Sequence, residues 1–186
     1  MKRLIILTIV VFLLVGCSEK DSAVDDALLF RKQIADGNGC SFNAIITADY
    51  GNKLYQFSMQ CSSDATGNIT FSIIEPESIR DITGKISNER GVLTFDDQAL
   101  AFEMIADGQI TPVSSVWLFM RALHSGYIRS YETKDDLCHL VINDSYQEKA
   151  MQLDIYLTKK HAPIQADILW NNRRIITIQV ENFTIL

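Results

Sequence analysis

The sequence lacks the short motifs by which most metal sites and enzymes are recognised. Its three histidines, His124, His139 and His161, are scattered, and no H-x-H, H-E-x-x-H or C-x-x-C spacing predicts a zinc site. The chain also has no G-x-S-x-G motif, no phosphate-binding glycine-lysine loop and no dinucleotide fingerprint. These absences argue against a metal ion, a cofactor and a catalytic centre, so we expect a protein that is not an enzyme.

Two arrangements of reactive side chains have structural explanations. Cys138 and His139 are adjacent in a strand-like run, so their side chains point to opposite faces and cannot act together as nucleophile and base. The paired acids Asp25-Asp26, Asp96-Asp97 and Asp135-Asp136 fall at a helix start or at turns, where carboxylates bind backbone amides. No calcium-loop spacing accompanies them.

Positive charge is scarce as well. The chain has 17 Lys and Arg residues against 23 Asp and Glu residues, and without residues 1–16 the net charge is −8. No basic stripe and no basic-aromatic run occurs. Nucleic acid is therefore not an expected partner.

No apolar run at the amino terminus is long enough to cross a bilayer. Residues 4–15 form an apolar stretch of about a dozen residues, whereas a spanning helix needs roughly 20. Lys2 and Arg3 precede this stretch and the small residue Gly16 follows it, which is the order of a secretory signal. The sequence therefore predicts a signal peptide over residues 1–16.

The end of this segment resembles the lipobox of bacterial lipoproteins. Its residues are Leu14, Val15, Gly16 and Cys17. The resemblance implies cleavage before Cys17 and a diacylglyceryl thioether on its sulfur, which would anchor the protein on the extracytoplasmic side of the cell membrane or the outer membrane. Two or three acyl chains make such an anchor effectively permanent, at about 0.8 kcal/mol for each buried CH₂.

Three cysteines remain when Cys17 is assigned to lipid. Cys40 and Cys61 bracket two alternating runs, residues 41–48 and 54–60, and folding this hairpin about Tyr50-Gly51 places the two cysteines opposite each other. A disulfide between them and a pair of buried thiols are both compatible with this pattern. Cys138 is left without a partner.

The rest of the chain reads as a short tether, residues 17–21, and one domain, residues 22–186. A capping box at Ser22 and Asp25 begins a helix that Gly37 can end, and a second helix enters through Thr111 and Pro112 and stops at Gly126. Strand-like runs cover residues 42–48, 54–60, 69–74, 82–86, 91–95, 100–104, 127–131, 137–142, 151–157, 164–170 and 175–180. Pro76 predicts a break or an edge, and Asn171-Asn172 predicts a hairpin turn.

About eleven strands with one helix before them and one inserted midway define an α+β fold. Short connections make neighbouring strands antiparallel, and a sheet of that many strands curls. The inserted helix carries an apolar stripe of Val113, Val116, Trp117, Met120 and Leu123 and has its natural place on the concave face.

This order of elements resembles the LolA-like family of lipoprotein and lipid carriers. The residues that carry the resemblance are Pro163, Ile164, Ala166, Ile168, Trp170, the turn Asn171-Asn172-Arg173, Ile176, Ile178, Val180, Asn182 and Phe183. The resemblance implies a half-open barrel covered by the two helices, with an apolar cavity that receives acyl chains. The cavity residues it implies are Val116, Trp117 and Met120 of the inserted helix, facing Phe95, Phe102 and Met104 of the sheet.

Two functions are compatible with the sequence. The first is an anchored protein that binds a lipid or an acyl chain between the curved sheet and the inserted helix. The second is a non-catalytic envelope module with a filled core, which holds another envelope protein through its acidic surface or an exposed strand edge. A continuous apolar void would favour the first function, and a filled interior would favour the second.

Overall fold

The computed structural model describes residues 21–87, 90–103, 105–106, 109–147 and 150–186. Two α-helices lie on one face of a long antiparallel sheet, namely α1 (Asp21–Asp36) and α2 (Ser115–Ser125), the second preceded by a 3-10 turn over Pro112–Ser114. The strands are β1 (Gly39–Asp49), β2 (Leu54–Asp64), β3 (Ile69–Glu75), β4 (Thr83–Ser87), β5 (Arg90–Phe95), β6 (Gln98–Glu103), β7 (Ile105–Ala106), β8 (Gln109–Ile110), β9 (Tyr127–Lys134), β10 (Leu137–Asn143), β11 (Gln152–Thr158), β12 (Pro163–Trp170) and β13 (Arg173–Ile185).

Eleven of these strands form a single sheet in the order β6-β5-β4-β3-β2-β1-β13-β12-β11-β10-β9. Its two end strands, β6 and β9, do not pair with each other, so the sheet stays open. The remaining two strands, β7 and β8, form a separate two-stranded ribbon that the sequence did not predict. The predicted fold class, an α+β protein with an open sheet of about eleven antiparallel strands and two helices, is confirmed.

Turn residues explain the short connections. Asp96 and Asp97 join β5 to β6 with φ angles of 48° and 59°, and Asn171 and Asn172 join β12 to β13 with φ angles of 49° and 61°. Asp and Asn tolerate this left-handed conformation, which two-residue hairpins require. Both hairpins therefore follow from local sequence.

The alternation of side chains gives the sheet an inner face and an outer face. In β1, Phe42, Ala44, Ile46 and Ala48 are buried, whereas the residues between them are half-buried. Because successive side chains of a strand point to opposite faces, the buried set defines the inner face, on which the helices pack.

The helices bury their apolar sides against this inner face. α1 packs on β9, β1 and α2, and buries Ala27, Phe30 and Ile34. In α2 the residues Ser115, Val116, Leu118, Phe119, Met120, Ala122 and Leu123 are all buried. The ring of Phe119 meets the edge of the Phe42 ring, with centroids 5.7 Å apart. The buried arc of α2 is thus wider than the predicted stripe and centres on Phe119.

The predicted register of the first hairpin was wrong by two residues. Cys40 lies opposite Ser63 and Cys61 lies opposite Phe42, because the turn spans four residues between Asp49 and Leu54. Cys40, Cys61 and Cys138 are all free and buried. Cys40 and Cys61 thus lie on the same face of neighbouring strands without being directly opposite, and the disulfide between them stays a prediction.

Within the residues given above, no helix is long and apolar enough to cross a membrane. The signal peptide, the lipobox with Cys17, and residues 17–20 of the tether lie outside the described residues. Their assignment and the domain boundaries remain predictions.

Candidate functional site

The inner face of the sheet continues beyond the part that the helices cover. At the β6 end it presents four apolar side chains, which we call the apolar wing: Leu93, Phe95, Leu100 and Phe102. Leu93 and Phe102 are half-buried, while Phe95 is 54% and Leu100 is 66% exposed. Large apolar side chains exposed together on one face indicate a binding surface.

A continuous row of paired residues links the wing to the core. From the residue that contacts α2 to the edge of the sheet, the row is Phe42, Cys61, Phe71, Gly84, Leu93 and Leu100. The residues near α2 are almost completely buried, and exposure rises toward β6. The wing is therefore an uncovered extension of the hydrophobic core.

Two glycines flatten the inner face where the wing begins. A Cβ atom added to Gly84 would overlap the ring of Phe71, and one added to Gly91 would overlap the ring of Phe102. Each aromatic ring lies directly on the backbone of the neighbouring strand, which only glycine permits. The rings thus lie flat along the sheet and widen the apolar surface.

The five predicted cavity residues that the structure describes separate into three groups. Phe95 and Phe102 belong to the apolar wing, whereas Val116 and Met120 are fully buried in the packed core beneath α2. Trp117 is half-buried at the rim of α2, where the Arg121 guanidinium lies 5.0 Å from its ring centroid. Met104 lies outside the described residues.

Trp117 lines a cleft of about 310 Å³ between α2 and the β2–β3 loop, together with Arg121 and His124. Two other surface clefts, of about 450 Å³ and 730 Å³, lie along β2 to β5 and along β1 to β3. None of these three clefts is lined by Phe95 or Phe102. Trp117 is therefore not brought together with the apolar wing in any of them.

Arg31 joins the two helices, and sequence reasoning did not find it. Its Nε donates to the carbonyl oxygen of Leu123 at 3.0 Å. Its Nη2 donates to the carbonyl oxygens of Ala122 at 3.2 Å and of Gly126 at 2.7 Å. These carbonyls lie at the carboxyl end of α2, where the last carbonyls of a helix lack intrahelical partners; that of Ala122 also accepts the N–H of Gly126 at 3.0 Å. Burial lowers the pKa of Arg31, but a guanidinium keeps its charge in proteins. No local signal reveals bonds across more than 90 residues.

The adjacent Cys138 and His139 lie on opposite faces, as the strand periodicity predicts. Cys138 is buried on the inner side, and the His139 ring stacks on that of Tyr156 with centroids 4.8 Å apart. No group of three His, Cys, Asp or Glu side chains in the described part of the chain could hold a metal ion.

A polar cluster on the outer face of β11 to β13 surrounds Asp167. This carboxylate is buried and accepts hydrogen bonds from Thr177 at 2.7 Å and from Gln165 at 3.1 Å, with Arg174 at 3.5 Å. Asp154 lies directly opposite Asp167 in the neighbouring strand. The donors offset the repulsion between the two carboxylates, so the cluster has a structural explanation.

No family model matches the chain, and no curated protein matches it. Solved structures do resemble it. A LolA superfamily protein from Nitrosomonas europaea superposes with a TM-score of 0.46 and 11% identity, over 86% of this chain and 93% of that chain. The lipoprotein LppX from Mycobacterium tuberculosis gives a TM-score of 0.42 and 10% identity, over 88% and 96% of the two chains.

A third similar chain belongs to the structure of the CwlD amidase from Clostridioides difficile in complex with the GerS lipoprotein. It superposes with a TM-score of 0.44 and 14% identity, over 91% of this chain and 98% of that chain. At these identities and TM-scores, the ligands and partners of the similar proteins carry no information about this chain.

Proposed function

We propose that this chain is a lipid-anchored envelope protein that binds a hydrophobic ligand, a lipid or an acyl chain, on the apolar wing. The observation that carries the proposal is the apolar row that runs from the buried Phe42 to Leu100, whose end on β5 and β6 is uncovered. The sheet ends at β6 without closing, so a ligand can reach the inner face from this end. The proposal involves no catalytic residue and no cofactor.

The energetics favour an acyl ligand on this surface. Apolar surface removed from water contributes about 25 cal/mol per Å², and each buried CH₂ group about 0.8 kcal/mol. Phe95 and Leu100 together expose the larger part of two big side chains, which a ligand would cover. Contact between the wing and an acyl chain therefore removes apolar surface of both from water, which favours binding.

The position of the ligand differs from the one that the sequence suggested. Val116, Phe119 and Met120 are fully buried, so the contact between α2 and the sheet is filled around them. A ligand on the wing lies beside α2 and extends along β5 and β6. Trp117, at the rim of α2, does not belong to this proposed surface.

The test uses two variants of the same hairpin. Leu100→Ser removes an apolar side chain from the inner face, and Val92→Ser removes one from the outer face, where Val92 is 41% exposed. Intact cells are fed a photoreactive fatty acid and irradiated, and label on peptides of β5 and β6 is measured by mass spectrometry, so that acyl chains attached to Cys17 are not counted. We expect at least fivefold less label on Leu100→Ser and unchanged label on Val92→Ser. Equal labelling of both variants would contradict the proposed surface.

The anchor is a separate proposal that rests on the sequence from Leu14 to Cys17. Metabolic labelling with an alkynyl palmitate should mark the wild type and not a Cys17→Ser variant. A wild-type protein that retains residues 1–16 and carries no label would overturn the anchor without affecting the test of the wing.

A second candidate function is a protein-holding envelope module, and the filled contact beneath α2 favours it. A packed core leaves the surface as the functional part of the domain. Crosslinking in intact cells, followed by purification, separates the two functions. Recovery of a protein partner with no fatty-acid label on β5 and β6 would favour the module, and label on these strands without a protein partner would favour the carrier.

A further inference from the structure

Strand β2 has a free edge in the middle of the sheet. It pairs with β1 along its whole length, from the Gly39–Asp64 pair to the Asp49–Leu54 pair. On its other side it pairs with β3 only from Ser58 to Ser63, because β3 ends at Glu75, which pairs with Ser58. Pro76, which has no N–H group, and a 3-10 turn over Glu77–Ile79 then lead the chain away.

The first four residues of β2 are left without a β3 partner: Leu54, Tyr55, Gln56 and Phe57. Leu54 is 69% and Tyr55 is 43% exposed. In an antiparallel strand, alternate residues direct their N–H and C=O groups to the same side. Among the described residues, this edge therefore offers backbone donors and acceptors without a strand partner in the place that β3 vacates, which is a template for one more strand.

The outer side of this edge is an acidic groove. A cleft of about 730 Å³ begins beside Gln56 and is lined by the carboxylates of Glu75, Glu77 and Glu181. Arg80 is the one basic side chain among the described residues of the lining, and its Nε donates to the carbonyl oxygen of Ile74 at 3.0 Å. Three carboxylates against one guanidinium make the groove complementary to a positively charged group.

The inner side of the same edge is aromatic. Phe57 lies opposite Ile46 and Tyr55 lies opposite Ala48, both buried residues of the inner face. An added strand places its side chains on alternate faces. Every second side chain would therefore face the acidic groove, and the others would face the side of Tyr55 and Phe57.

We propose that the edge of β2 from Leu54 to Phe57 binds an extended segment of a partner protein in which basic and apolar residues alternate. The segment adds to the sheet by backbone hydrogen bonds and takes the position that β3 leaves open. Its basic side chains meet Glu75, Glu77 and Glu181, and its apolar side chains pack against Tyr55 and Phe57. This surface is separate from the apolar wing on β5 and β6.

The probe for this site is a fluorescent hexapeptide of alternating Lys and Val, measured by fluorescence anisotropy. The full chain is reconstituted in phosphatidylcholine nanodiscs, whose lipid has no net charge to attract the peptide. We expect saturable binding. A peptide of the same composition in blocks, three Lys followed by three Val, should bind at least tenfold more weakly. Equal binding of the two peptides, or no binding of the alternating one, would overturn the proposal.

Backbone pairing is tested by methylating the peptide. One version carries N-methyl groups on its three Val residues, and the other on its three Lys residues. Because only alternate N–H groups of an added strand face the edge, one version should lose at least tenfold in affinity and the other should stay within threefold. A purely electrostatic contact would bind both versions with the same affinity. Equal affinities would therefore rule out strand addition.

The place of binding is tested by two charge reversals of equal size. Glu77→Lys changes the groove, and Glu132→Lys changes an exposed residue of β9, at the far edge of the sheet. We expect at least a fivefold loss of affinity for Glu77→Lys and less than a twofold change for Glu132→Lys. Similar losses in both variants would show attraction to the net charge alone and would contradict the site.

Discussion

The guanidinium of Arg31 in α1 donates a hydrogen bond of 2.7 Å to the carbonyl oxygen of Gly126, the residue that follows α2. Two further bonds from the same side chain reach Leu123 and Ala122. The side chain thus closes the carboxyl end of α2 and ties the two helices together. Its positive charge also suits the negative end of the helix dipole.

Removing this side chain should destabilise the protein. Hydrogen bonds to charged groups contribute more than neutral ones, and Arg31→Met leaves three carbonyls without that donor, so we expect a loss of about 2 to 3 kcal/mol in the free energy of unfolding. Urea unfolding measures it. The matched control is Lys32→Met, an exposed neighbour in α1, with a change of less than about 0.5 kcal/mol. A loss as small for Arg31→Met as for the control would contradict this role.

Two phenylalanines should differ sharply in their cost of truncation. Phe119 is fully buried in α2 against Phe42, whereas Phe95 is 54% exposed on the apolar wing. Phe119→Ala leaves a cavity and should cost about 3 to 5 kcal/mol, while Phe95→Ala should cost about 1 kcal/mol or less. Thermal and urea unfolding of both variants check this. Similar costs would mean that the wing is packed as tightly as the core.

Asp64 should make stability depend on pH in the acid range. Hydrogen bonds from the Thr66 hydroxyl and from Asn68 lower the pKa of this carboxyl to about 2 from its usual 3.8. Because the pKa of Asp64 is lower in the folded than in the unfolded protein, its ionised carboxylate stabilises the fold at pH values above the unfolded-state pKa. This contribution is lost as the pH falls from about 4 toward 2. The residue is largely exposed, so we expect only about 1 kcal/mol.

The comparison for this prediction is Asp64→Asn, which keeps the shape and does not titrate. Urea unfolding at several pH values between 7 and 2 should show the wild type more stable at neutral pH and the difference closing toward pH 2. A difference that stays constant across this range would show that the charge of Asp64 contributes nothing.

Thiol counting should distinguish the states of the four cysteines. Cys40, Cys61 and Cys138 are free and buried, and burial raises the pKa of the Cys61 thiol. In native protein we expect none to react quickly with a thiol reagent, because the thiolate is the reactive form. After unfolding without reductant, three thiols should react if Cys17 carries lipid, and four if it does not. A count of one in the lipidated protein would indicate a Cys40–Cys61 bond.

The strands and turns could be predicted because their signals are local. Alternation within five to eight residues marks a strand with one buried face, and residues such as Asn171 and Asn172 accept the backbone conformation that a tight turn needs. All eleven sheet strands overlap the predicted runs, and both helices end where Gly37 and Gly126 predicted. The pairing of strands that follow one another followed from the short connections, whereas the pairing of β1 with β13 joins opposite ends of the domain and was not predicted.

Errors arose where the outcome depended on loop geometry or on packing. A turn of four residues instead of two moved Cys61 from Cys40 to Phe42, yet a shift of two residues kept both cysteines on the inner face. In α2, the predicted stripe contained Trp117 and missed Phe119. The helix packs between the sheet and α1, so its buried arc is wider than a stripe against one surface.

The sequence by itself determined that this chain forms eleven strands with one helix before them and one inserted midway, since periodicity and turn chemistry act over a few residues. Only the tertiary structure decided that Arg31 closes α2, that the inner face beneath Phe119 is filled, and that the wing at Leu100 and the edge at Gln56 stay open. Each of these depends on where a helix or strand ends relative to segments far away in the chain. Local sequence patterns do not predict such placement, because it results from packing between residues that are far apart in the chain.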